Sequence, residues 1–262
     1  MMFELTLPIL AGWIAGWIVN YLADVLPITR RLDKPACRQC GVSFSWAAYL
    51  SFRRCPDGHG RSPRLWLVQI AITAMSVYAF LNPPLKIGYW AGMVLLAYFG
   101  VVFVIDVEHR LIMHPTSVFG ALLALTLGIY SHGLAATLSG GLAGFLILIT
   151  FYLFGILFTK MREKQMKMKG LEPDDEEAFG QGDVILATIL GFLIGWPLIW
   201  FAVIVGIFLA GGISVLLVAS WVIRRQFKAN ALMNFIPLGP YYILGAALVV
   251  YFPDILRALL PG

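Results

Sequence analysis

The chain alternates long apolar runs with short clusters of charge. Cut at formal charges and at polar or Pro/Gly breaks, the runs give eight candidate helices, roughly 5–23, 65–82, 87–105, 115–131, 135–159, 184–200, 201–223 and 231–252. Most are close to the ~20 residues that cross a hydrocarbon core. The uncharged 111–159 stretch is too long for one span and breaks at Ser131-His132-Gly133, and the 184–223 stretch breaks near Trp196-Pro197. The pattern predicts an all-α polytopic membrane protein of about eight transmembrane helices. The first run, Leu5–Ala23, is followed by Asp24 and lacks a basic flank or a small-residue cleavage site, so it reads as a retained helix rather than a signal peptide. No internal repeat is evident.

Composition agrees: 60% of residues are hydrophobic and 13% charged, about half the charge of a soluble domain. The net charge of +5 reports topology in such a chain rather than nucleic-acid binding, because cytoplasmic loops collect Lys and Arg. If the 24–64 loop is cytoplasmic, so are 106–114, 160–183 and 224–230, and these four segments hold 17 of the 19 basic residues. The expected location is the cytoplasmic membrane, with lipid around the helices. The same orientation puts Asp106 and Asp183 at one membrane face, the cytoplasmic one.

Those two aspartates are the candidate chemistry. Asp106 lies in Val104-Ile105-Asp106-Val107-Glu108-His109-Arg110 and Asp183 in Phe179-Gly180-Gln181-Gly182-Asp183. A carboxylate beside lipid is costly and asks for a use. A pair sharing one water can hydrolyse a peptide: the ionised member deprotonates water and the protonated one polarises the carbonyl. Two such charges about 4 Å apart at an effective dielectric near 20 repel by roughly 4 kcal/mol, about 3 pK units, enough to hold one proton on the pair. Gly180 and Gly182 would let an extended substrate backbone lie beside Asp183. The plainer readings are a helix cap for Asp183 and an ion pair with Arg110, four residues on, for Asp106. Capping explains Asp106 poorly, since the dipole disfavours an anion at a helix C-terminus.

All three cysteines fall in one loop, as Cys37-x2-Cys40 and Cys55-x3-His59. Three thiolates and an imidazole form a closed tetrahedral set for one structural zinc ion, and a reducing cytoplasm disfavours a disulfide. The alternative is three free thiols and an unrelated histidine. The expected division is 1–64, the first helix with the zinc-binding cytoplasmic subdomain, and 65–262, the catalytic membrane domain. The 160–183 loop runs from basic to acidic. By default it is a solvated loop, and its acidic end could also attract a basic peptide toward Asp183.

The Asp106-Val-Glu-His-Arg stretch, the Gly180-x-Gly182-Asp183 stretch 77 positions later and the cysteine loop together resemble the type IV prepilin peptidases across essentially the whole chain. The resemblance implies an aspartyl protease of the GxGD type, with Asp106 and Asp183 catalytic, whose partners are pilin-like or pseudopilin precursors. Such an enzyme cuts a short basic leader at the cytoplasmic face. Family members often also methylate the new N-terminus with S-adenosylmethionine. Here Gln69 stands where the family carries glutamate, and His59 replaces a fourth cysteine. An amide cannot act as a carboxylate base, so methyl transfer is expected to be weak or absent. Two further departures are Met113-His114-Pro115, where the family has Pro-Asp or Pro-Asn, and Ile185, where it has lysine. The rival readings are a GxGD protease cutting within transmembrane segments and a proton-coupled transporter, both of which place their carboxylates deeper in the bilayer.

Overall fold

In the computed structural model the described residues are 2–84, 86–168, 180–223 and 237–259. Among them the chain is helical and forms no strand: α1 Met2–Thr29, α2 Trp46–Leu50, α3 Pro63–Leu81, α4 Gly88–His109, α5 His114–Met168, α6 Gln181–Ile194, α7 Ile199–Ile223, α8 Gly239–Tyr251 and α9 Pro253–Leu259. The helix α5 is broken at Gly133, whose φ of 84° and ψ of 168° are non-helical. Split there, the described residues hold eight apolar helical segments close to the expected ranges. Five helices are long and apolar enough to cross a membrane, one of them the double-length His114–Met161, while α6 and α8 are shorter. Phe179, the acidic residues Glu172, Asp174, Asp175, Glu176 and Glu177 and the basic cluster at 224–228 lie outside the described residues.

The chain forms two compact units, 1–116 and 117–262. In the first, α1 packs on α3 and both pack on α4. The apolar run alone predicts an end for α1 near residue 23, yet the helix continues to Thr29. Asp24 does not stop it because its carboxylate is taken up by Arg64, Arg38 and Tyr49. The α1–α3 seam holds buried polar side chains with assigned partners: Asn20 Nδ2 donates to Leu65 O at 3.2 Å, and Ser76 Oγ to Pro8 O at 2.6 Å. Backbone carbonyls serve as acceptors in this buried seam.

In the second unit, small residues let helices approach backbone to backbone, the main source of helix association where lipid competes for apolar surface. A Cβ on Gly140 would run into Gly191 O, and one on Gly144 into Ala187 O. The second arm of α5 therefore grips α6 along its length. Between α6 and α7 the chain turns at Gly195, φ 77°, and the Trp196 N–H is held by Ala136 O at 3.1 Å. The break read from Trp196-Pro197 is thus real. The helix α8 packs on both α6 and α7, with Gly245 against Ala202.

Candidate active site and metal centre

Asp106 sits in the last turn of α4 and is only 4% exposed. The helix ends four residues on, at Arg110, which takes the left-handed conformation (φ 52°) and donates its N–H to Asp106 O at 2.9 Å. About 1.5 Å of rise per residue puts Asp106 within roughly one turn of the helix end, far from mid-span.

Asp183 lies in the second unit, half-buried in the first turn of α6. The N-cap position is Gly180, which has no side chain of its own to offer. Asp183 is three residues further in, and its carboxylate hydrogen-bonds the Gly180 backbone, so it helps to cap the helix from inside the first turn. Its N–H donates to Gly180 O at 3.1 Å, closing the turn. Gly180 has φ −87°, which any residue can adopt. A Cβ there would meet nothing nearer than Gly182 N at 3.9 Å and Asp183 Oδ2 at 4.0 Å. Neither the backbone nor the packing demands glycine at 180. What its missing side chain leaves open is the edge of the Asp183 carboxylate. Gln181, next in the motif, donates from Nε2 to Tyr152 OH at 3.2 Å and ties this turn to the second arm of α5. Ile185 is 38% exposed and points away from the packed core.

The four metal-ligand residues converge. The ligand atoms of Cys37, Cys40, Cys55 and His59 all lie within 4.8 Å of one another, with Cys40 Sγ 3.3 Å from Cys55 Sγ and Cys37 Sγ 3.9 Å from His59 Nδ1. The loop folds this way because two tight turns face each other. Cys37 N–H donates to Val42 O and Gly41 N–H to Cys37 O, both at 2.8 Å, while Cys55 N–H donates to His59 O at 3.0 Å. N–H groups of Gln39 and Cys40 hold the Cys37 thiol down to about 6. At Cys40 the Val42 N–H pulls the thiol down, but desolvation and hydrogen bonds with Cys55 and Cys37 outweigh it and push it up to about 12. One thiolate thus forms readily while its neighbour keeps its proton. The donor set fits a tetrahedral metal such as zinc with no open position. The subdomain's own core is small, Phe44, Tyr49 and Cys55 with Tyr21, Cys37 and Ala48 against it, so a metal crosslink has work to do.

Sequence reasoning did not anticipate the charges beside this loop. Arg38 Nη2 lies 2.8 Å from Glu108 Oε2 and 3.0 Å from Asp24 Oδ1. Arg64 Nη2 binds Asp24 Oδ1, and Arg64 Nε is 3.2 Å from Glu108 Oε1. Each carboxylate is shared by two guanidiniums, forming a closed ring. Tyr49 donates its hydroxyl to Asp24 Oδ2 at 2.6 Å, and both burial and the Asp24 charge push that hydroxyl's pKa up. Arg61 lies over the Phe44 and Tyr49 rings at 4.4 and 4.3 Å. The signal in the sequence was Asp24, an acid at the end of an apolar run with no motif to explain it.

Gln69 is fully buried. Its Nε2 donates to Trp13 O at 2.7 Å, its Oε1 has no hydrogen-bond partner, and the amide fills the space left by Gly16. The side chain serves the α1–α3 seam and does not face solvent.

No curated protein and no solved structure matched the chain. Residues 93–216, which include Asp106 and Asp183, match the model of the type IV leader peptidase family, a family of proteases. That match supports the resemblance to the type IV leader peptidase family that the motifs carry.

Proposed function

We propose that the protein is a prepilin leader peptidase, an aspartic endopeptidase that uses Asp106 and Asp183 as its catalytic pair at the cytoplasmic face of the cell membrane. One observation supports this most. Both carboxylates stand in the end turns of apolar helices within the matched segment. A midplane proton relay would need them deeper. In the proposed reaction one carboxylate, ionised, takes a proton from water, while the other, protonated, donates to the scissile carbonyl and stabilises the developing oxyanion. The open edge at Gly180 would admit the extended peptide beside Asp183. The substrate is a pilin-like or pseudopilin precursor whose basic leader stays in the cytoplasm while the apolar helix behind it lies in lipid. Zinc held by Cys37, Cys40, Cys55 and His59 supplies a structural crosslink and takes no part in hydrolysis. Methyl transfer from S-adenosylmethionine is not part of the proposal, since Gln69 offers neither a carboxylate nor access to solvent.

The test is incubation of purified protein with a peptide carrying a short basic leader before an apolar helix, followed by N-terminal sequencing. A single cut at the leader–helix junction is expected. Cleavage inside the apolar helix, or none, would contradict the reading.

A further inference from the structure

The geometry points to Arg38 and Glu108 as positioning residues through which the metal-bound cysteine loop fixes the last turn of α4, and with it Asp106. This deepens the peptidase reading and rests on it for the role of Asp106.

The link is direct. Arg38 lies between two ligands, Cys37 and Cys40, in a turn closed by the Cys37–Val42 and Gly41–Cys37 hydrogen bonds. A metal bound to both cysteines anchors this turn on either side of the arginine. The guanidinium then leaves the loop and binds Glu108, with Asp24 of α1 as its second partner. Glu108 is two residues beyond Asp106. At about 100° per residue the two side chains leave α4 on nearly opposite sides, so Asp106 points into the fold when Glu108 points to the loop.

The last turn of α4 needs such an anchor. Terminal helical carbonyls lack intrahelical partners and end turns fray easily, and this one stops at a left-handed arginine. The ring holds it from two directions: Arg38 from the metal loop, Arg64 from the start of α3. The side chains of Asp24, Arg64 and Glu108 are 10%, 16% and 21% exposed, which limits screening of their pairs, while Arg38 is 36% exposed. Rotating α4 by even a fraction of a turn would break the Glu108 contacts. A catalytic group displaced by 1 Å can lose on the order of 100-fold in rate, so small slack at this anchor reaches the chemistry.

The experiment uses the full-length protein in detergent with its metal bound, the leader peptide substrate, and the variants Arg38→Ala and Glu108→Gln. The second removes the charge that Arg38 and Arg64 share on α4, away from the ligands. Each is assayed before and after a strong chelator, with kcat and KM separated, metal content measured, and amide hydrogen exchange followed across 103–110. Both variants are expected to keep the metal and lose about 10–100-fold in kcat, with KM little changed. Chelation should lower wild-type kcat by a similar factor, leave Glu108→Gln unchanged, and raise wild-type exchange across 103–110 to the level of that variant. Full kcat in metal-loaded Glu108→Gln, equal losses on chelation in wild type and variant, or exchange indifferent to the metal would each overturn the proposal. If wild type cleaves no peptide the peptidase reading fails, and the exchange comparison still decides the coupling.

Discussion

In the proposed mechanism the Asp183 carboxylate needs room for a peptide, and Gly180 is the residue that would leave it. Gly180→Ala meets no clash in the fold but sets a methyl 4.0 Å from Oδ2, beside the edge a peptide would approach. It should lower kcat/KM by roughly 10-fold, about 1.4 kcal/mol, with thermal stability unchanged. Peptide cleavage and a melting curve on the same preparation check it, and unaltered kinetics would remove Gly180 from the substrate path. The cysteine cluster makes a second prediction. With Cys37 held to about 6 and Cys40 pushed up to about 12, zinc must displace the Cys40 proton at neutral pH but finds Cys37 already largely ionised. Affinity should therefore rise with pH, by about tenfold per unit for each proton displaced, between about pH 7 and 9. Competition with a metal-responsive dye measures this, and a flat profile would contradict it. At this scale the sequence was readable where spacing is short. Cys-x2-Cys and Cys-x3-His brought four ligands together as read. The Asp24–Arg38–Arg64–Glu108 ring was not legible, because its members come from three helices and a loop and leave no periodic trace.

The helices themselves were legible from length and charge alone, down to the breaks at Gly133 and near Trp196-Pro197. Where the reading stopped short, at the end of α1, a tertiary ion pair had made an acid acceptable inside a helix. Glycines between helices were invisible to hydropathy for a different reason. Gly140 and Gly191 matter for what they omit, and the partner surface is needed to see it. The α1–α3 seam carries the same lesson at Gln69. Aligned by motif, the residue suggests a lost base; in the fold it is a buried donor to Trp13 O. Gln69→Glu should replace that donor with a carboxylate facing a carbonyl, costing about 1–3 kcal/mol, more if the acid ionises. A lowered unfolding temperature in detergent, with no methylation of cleaved product, is the expected result. A stable variant that gains methyl transfer would show the position to be catalytic after all.

For the whole molecule, two different signals agree: apolar helices of spanning length support a membrane protein, and a match over 93–216 supports a leader peptidase-like protease. Neither signal names the catalytic groups, and the pairing of Asp106 with Asp183 is the claim on which the rest depends. Asparagine keeps the shape of each side chain and removes its ionisation, so the substitution isolates the chemistry from the fold. The decisive measurement is N-terminal sequencing of a prepilin-like substrate after incubation with wild type, Asp106→Asn and Asp183→Asn, each purified as folded, metal-bearing protein. Wild type should release the leader at one bond, and each variant should lose at least about 1,000-fold in rate, roughly 4 kcal/mol of transition-state stabilisation. Substantial cleavage by either folded variant would contradict the two-carboxylate account.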